Sequence, residues 1–226
     1  MTIKSSEFKN KTLICFGDST TWGDDGKRNG GKAISWPMQL GEHYEFEKIF
    51  NEGKCGSRIA VTSDRNDSFI ERWKNLPSTA DYIVIWGGVN DFQHDVPLGS
   101  ENDGAVRTFY GALNTLFWGM LNRYPEAKLL VVTPHKNNYF NAEKNYPTSF
   151  QENKLGLMQE SYVEAIMKIS AKFSLPLLDL FNHSGMSPFV EAQQKLYFPD
   201  GMHFSKAGYR RISEIICRGL IQLSGF

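Results

Sequence analysis

Three short polar clusters each hold residues that together could carry out acyl transfer. Gly17–Thr20 reads GDST and offers the Ser19 hydroxyl; Gly88–Asp91 reads GVND and offers the Asn90 amide; Asp200–His203 reads DGMH and offers an imidazole with a carboxylate three residues before it. A serine at its ordinary pKa is a poor nucleophile and needs an adjacent base. His203 suits that task, and Asp200 is close enough in a turn to hold the imidazole tautomer and stabilise the imidazolium. The oxyanion of the intermediate then needs donors. The backbone N–H of Ser19, a backbone N–H at Gly56 and the Asn90 side chain could supply three. Gly56 belongs to a fourth cluster, Asn51–Ser57 (NEGKCGS), in which Gly53 competes for the same role. Taken alone, Ser19 reads as a helix cap. The two readings are compatible, because a cap position aims the hydroxyl at the edge of a sheet.

About five buried strands must position these clusters. Lys11–Phe16, Glu45–Phe50, Asp81–Trp86, Ala127–Thr133 and Leu175–Leu178 are short apolar runs of the kind covered on both faces. Helical spacing of apolar residues marks Ala105–Arg123, Gln151–Phe173 and a last segment starting at Ser205, with shorter helices at Ser35–His43 and Asp67–Lys74. Strands alternating with helices imply an α/β fold with a parallel sheet and helices on both faces. No repeat or linker interrupts residues 1–226, which reads as one domain. Such sheets place ligands at the carboxyl ends of their strands. Gly17–Thr21, Gly87–Asp91 and the aperiodic stretch Pro134–Phe150 should therefore share one edge.

Composition narrows the partners. The 226 residues carry 25 Lys plus Arg and 25 Asp plus Glu, so no global field favours nucleic acid or an anionic membrane. Apolar residues make up 41%, enough for a core, yet no run reaches the length of a bilayer span. The first eleven residues lack the apolar stretch of a secretory signal, so a cytoplasmic protein is the default. Cys15, Cys55 and Cys217 form no C-x-x-C pair and suggest neither disulfide nor metal site. No nucleotide-binding glycine pattern follows a strand. No cofactor is needed for the chemistry above.

With its four clusters in order, the chain resembles the GDSL/SGNH hydrolase superfamily, whose blocks centre on Ser, Gly, Asn and His. The match is to GDST at Ser19, N-x-G-x-x-G-S at Gly56, G-x-N-D at Asn90 and D-x-x-H at Asp200 and His203. Thr20 stands where the family's naming motif has leucine. The resemblance implies a three-layer, flavodoxin-like α/β/α sandwich. It further implies a serine esterase with a Ser19–His203–Asp200 triad and an oxyanion hole from Ser19, Gly56 and Asn90. Small-molecule or glycan esters with short acyl groups are the expected substrates. A lipase, lysophospholipase or thioesterase of the same fold is the alternative, as is a glycan-binding protein without turnover. The set Asp18, Asn90, Asp91, Asp200 and His203 also invites a metallophosphatase reading, but holds too few ligands for two metals. Around these residues, Asp91 should order its loop through backbone hydrogen bonds and Asp18 should act as a supporting carboxylate. Trp22, His94 and His135 are candidate substrate contacts, and Tyr139, Phe140 and Tyr146 candidate pocket walls. His43 and His183 have no such context and read as structural or surface residues.

Overall fold

The apolar runs pair into one sheet. The computed structural model describes residues 5–27, 29–140 and 144–225. Its strands are β1 (Thr12–Gly17), β2 (Lys48–Gly53), β3 (Tyr82–Trp86), β4 (Lys128–Val132) and β5 (Leu177–Leu178), all parallel, in the order β2-β1-β3-β4-β5. The helices are α1 (Ser19–Trp22), α2 (Trp36–His43), α3 (Phe69–Arg72), α4 (Val89–Gln93), α5 (Phe109–Arg123), α6 (Gln159–Lys172), α7 (Leu180–His183), α8 (Glu191–Tyr197) and α9 (Lys206–Ser224). Strand order reverses direction between β1 and β3. The connections leaving those two strands diverge to opposite faces, and a crevice opens between them.

Alternation along the strands feeds two cores. Ile14, Phe16, Ile83, Ile85, Leu129 and Val131 point to one face and pack with Phe69, Leu113, Leu116, Tyr162 and Ile166 of α3, α5 and α6. Leu13, Cys15, Val84, Trp86, Leu130 and Val132 point to the other, against Trp36, Leu40, Tyr209, Ile212 and Ile216 of α2 and α9. Both faces are covered, so the strands are apolar throughout and the architecture is three-layered.

Three elements differ from expectation by more than two residues at an end. The second strand begins at Lys48 rather than Glu45 and runs on through Asn51 and Glu52 to Gly53. It is an edge strand paired only with β1, so its polar residues need not enter a core. Asn51 uses its amide to bind the Thr21 carbonyl at 2.8 Å and the Ser35 hydroxyl at 3.1 Å, tying the edge to α1 and α2. The helix expected from Ala105 starts at Phe109, because the Thr108 hydroxyl accepts the Gly111 N–H and caps it there. The helix expected from Gln151 starts at Gln159. Before it, Asn153 Oδ1 collects the N–H groups of Leu155 and Leu157, and Gly156 adopts φ +72°, a loop conformation. Of the expected Pro134–Phe150 loop, residues 141–143 lie outside the described residues; the rest contains no helix or strand.

Candidate active site

The three clusters meet at the crevice. After β1 the Asp18 carboxylate accepts the Thr20 N–H at 3.0 Å and the Thr20 hydroxyl at 2.7 Å, so Asp18 caps α1 and Ser19 is its first residue. The cap reading thus passes to Asp18, and the Ser19 hydroxyl is left for another partner. That partner is His203, whose Nε2 lies 2.9 Å from Ser19 Oγ. His203 Nδ1 lies 2.6 Å from Asp200 Oδ2, which fixes the proton on Nδ1 and leaves Nε2 to accept from the serine. Asp200 Oδ1 accepts the backbone N–H groups of His203 at 2.7 Å and Met202 at 3.0 Å, so the carboxylate cannot swing away from the ring. Ser205 then caps α9 through the Gly208 N–H and anchors the loop to the last helix.

Burial and charge oppose one another here. Ser19 is 3% exposed, Asp200 and His203 each 7%. Burial alone would lower the His203 pKa, but its hydrogen bond to Asp200 and the charges of Asp200, Asp24 and Asp18 outweigh it and raise the pKa above the ordinary value. Burial would raise Asp200; its bonds to His203 and the two N–H groups hold it below the usual carboxylate range. The pair therefore favours the imidazolium–carboxylate state that a proton-accepting histidine passes through.

The expected oxyanion donors follow the carboxyl ends of β1, β2 and β3. Gly56 has φ +73°, a conformation that favours glycine. Among the described residues, neither the Gly56 nor the Ser19 N–H donates to a protein acceptor. Gly53 differs: it ends β2, its N–H donates to Asn51 Oδ1 at 3.0 Å, and a Cβ there would lie 2.1 Å from the Trp22 nitrogen. Glycine at 53 is thus a packing requirement. Asn90 lies in the first turn of α4, and its Nδ2 makes two long bonds, 3.3 Å to Asp18 Oδ2 and 3.2 Å to the Ser57 carbonyl. Bonds of that length yield easily to a better acceptor.

The model of the GDSL-like lipase/acylhydrolase family matches residues 15–211, a span that contains every one of these groups. The chain belongs to that family. As an acylhydrolase family it makes the chain an ester hydrolase, and a triad and an oxyanion hole are features of its members. One solved crystal structure is 44% identical, with 97% of this chain and 99% of that one aligned at a TM-score of 0.91. A protein from Lactobacillus plantarum is 31% identical over 95% of this chain and 98% of its own, TM-score 0.81. A carbohydrate acetylesterase family member from Sinorhizobium meliloti shares the fold at 18% identity, covering 96% and 100%, TM-score 0.64. No curated protein matches the chain.

Within this GDSL-like chain the remaining candidates separate. His135 is 2% exposed, wedged among Trp86, Phe198 and Phe204, and its Nε2 lies 2.7 Å from the Met202 carbonyl. Burial lowers its pKa to about 4, so it is a neutral donor that braces the His203 loop; the expectation of a substrate contact is corrected. Trp22 is half-buried beside Gly31. His94 lines a cavity of about 980 Å³ with Arg58, Gln93 and Tyr146, and its Nε2 meets the Tyr146 hydroxyl at 3.0 Å. Ring contacts lead from that cavity to the crevice: Tyr146 lies 5.9 Å from Tyr139, which lies 6.3 Å from His203. Phe140 is exposed. Asp91 accepts the N–H groups of Ile59 and Ala60 at 2.8 and 3.0 Å, as loop ordering requires.

Arg72 escaped the sequence reading. Its guanidinium donates to the carbonyls of Gly17, Glu52 and Asp67 and to the Ser57 hydroxyl, over the rings of Phe16 and Phe69. It thereby joins the ends of β1 and β2 to the loop carrying Gly56. Burial lowers its pKa to about 10, which leaves it charged at neutral pH. A lone Arg at the end of a four-residue helix gives no signal in sequence.

Proposed function

We propose that this chain hydrolyses short-chain carboxylic esters through an acyl-enzyme on Ser19. Ser19 Oγ attacks the ester carbonyl while its proton passes to His203 Nε2. The negative charge that forms on the carbonyl oxygen is received by the N–H groups of Ser19 and Gly56 and by the Asn90 amide. As the C–O bond to the alcohol breaks, His203 returns the proton to the leaving oxygen. Water then repeats the sequence on the acyl-enzyme, with His203 as base and then as acid, and Ser19 is restored. Asp200 keeps the ring oriented and its charge balanced throughout.

The observation that carries this reading is the continuous chain from Ser19 Oγ through His203 to Asp200, at 2.9 and 2.6 Å. Polar walls support a hydrophilic substrate. The neighbouring cavity presents Arg58, Gln93, His94 and Tyr146 rather than an apolar tunnel, which favours acetyl or similar groups on a hydroxylated alcohol such as a sugar. In the test, Ser19→Ala is assayed on p-nitrophenyl acetate beside the parent enzyme. Turnover is expected to fall by about 10³-fold or more with the melting temperature held, and full activity would refute the mechanism. A series from acetate to palmitate, then acetylated sugars, separates this substrate class from a lipase: the rate should decline as the acyl chain lengthens.

A further inference from the structure

His203 is approached by carboxylates at both ring nitrogens. Besides Asp200 at Nδ1, Oδ2 of Asp24 lies 3.8 Å from Nε2, the nitrogen that faces Ser19. Asp24 is held there from two sides. Its N–H donates to the Ser19 carbonyl at 3.0 Å, and the Tyr209 hydroxyl of α9 donates to its carbonyl at 2.6 Å. Its Oδ1 accepts the Gly26 N–H at 2.9 Å, turning the chain so that Gly26 rests on Asp200, where a Cβ would lie 2.1 Å from Oδ2. Forming that turn needs one oxygen. The other is directed at the imidazole, and the side chain is only 28% exposed.

We propose that Asp24 orients the water that deacylates the enzyme and so favours hydrolysis over acyl transfer to alcohols. The inference rests on the acyl-enzyme reading above. Two acceptors 3.8 Å apart suit a single water, whose oxygen sits about 2.8 Å from each and donates one hydrogen to Nε2 and the other to Oδ2. Its free lone pairs then face the acyl carbon. As the water oxygen bonds to that carbon, the proton on the His203 side moves to Nε2 and the other hydrogen stays on the oxygen, bonded to Asp24. When the bond from carbon to Oγ breaks, His203 returns its proton to Ser19, and the acid leaves. An alcohol has one hydroxyl hydrogen. It gives that to Nε2 and turns its alkyl group toward Asp24, leaving the carboxylate its Gly26 and Cys55 donors but none from the attacking molecule. The other groups facing the ring do not share this task. Asp200 is on Nδ1, Asp18 is engaged with Thr20 and Asn90, and His135 is neutral. The Cys55 thiol, which hydrogen-bonds the Asp24 carboxylate, is raised to about 12 by burial and by Asp24 and Asp18, and stays protonated.

Partition of the acyl group tests this without reference to how much enzyme is folded. Parent and variants are given p-nitrophenyl acetate in graded methanol, and methyl acetate is measured against acetate. Asp24→Ala should raise the methyl acetate to acetate ratio by about tenfold. Asp24→Asn removes the charge but keeps the turn's acceptor, and should move the acid limb of the kcat/KM profile to lower pH. An alanine variant with the parent's ratio, or an asparagine variant with the parent's limb, overturns the proposal. Failure of the acyl-enzyme reading looks different: no variant, parent included, yields methyl acetate, and turnover survives Ser19→Ala.

Discussion

The short helix α4 serves two neighbouring regions that differ in how far their polar side chains are satisfied. Its first turn gives Asn90 and Asp91 to the crevice, where Asp91 takes two N–H groups, Asp18 takes Thr20, and Arg72 satisfies four acceptors. Its last turn gives Gln93 to the adjoining cavity. There both amide atoms of Gln93, itself 4% exposed, and Nε of Arg58 have no hydrogen-bond partner among the described residues. Reaction geometry has to be fixed before the substrate arrives, since reorganisation during the reaction raises the barrier. A binding wall can leave capacity unused, at a cost in stability of about 1–3 kcal/mol for each buried unpaired group.

Substitutions can sharpen or break that contrast. Asp200→Asn keeps the shape of the crevice but sets the wrong His203 tautomer, and kcat on p-nitrophenyl acetate should fall by about 10⁴-fold. Asn90→Ala should lower kcat by about 10²–10³-fold in the same assay, with little change in KM. Arg72→Leu strands the carbonyls of Gly17, Glu52 and Asp67, and chemical denaturation should report a loss of about 3 kcal/mol. Gln93→Leu should go the other way. It removes two unsatisfied atoms, so the same measurement should show a gain of about 1 kcal/mol, while KM for an acetylated sugar rises. If Gln93→Leu proves as destabilising as Arg72→Leu, the contrast between the regions fails.

Acidity gives the smallest and most general test. The rate requires neutral His203, whose pKa is raised above 6.5, so kcat/KM should climb with pH through a midpoint above that value. Stability should move oppositely. A histidine whose pKa is raised on folding stabilises the native state fully below 6.5 and loses that contribution as pH climbs through its folded value. Asp91, pushed up to about 7 by burial, loses its contribution progressively as pH climbs from 3.8, and only the tail of that loss remains above pH 6. Asp200, with its pKa depressed, contributes fully everywhere above 3.8. Thermal melts should therefore show a modest fall in Tm from pH 6 to pH 8.5 as activity rises.

Much of this was legible in the residues. The runs around β1, β3 and β4 are apolar because both faces of the sheet are covered, and that pattern needs no tertiary knowledge. Ser19, Asn90, Asp200 and His203 announce themselves by sitting at strand ends or just before the last helix. β2 was misplaced because an edge strand mixes polar and apolar residues, so Asn51 and Glu52 looked like loop. The starts of α5 and α6 were misplaced because caps, not periodicity, decide where a helix begins. Arg72 and Asp24 were invisible for another reason. Their partners, Gly17 for one and His203 for the other, are distant in sequence and become neighbours only through packing.

The bond between Ser19 and His203 joins residues 184 positions apart, one following the first strand and the other just ahead of the last helix. The nucleophile is thus synthesised 184 residues ahead of its base. A growing chain that ends between them carries a serine with no means of losing its proton. Competence arrives only once both residues have been made and the segments that carry them have met, so the fold itself delays reactivity until that whole stretch has been synthesised.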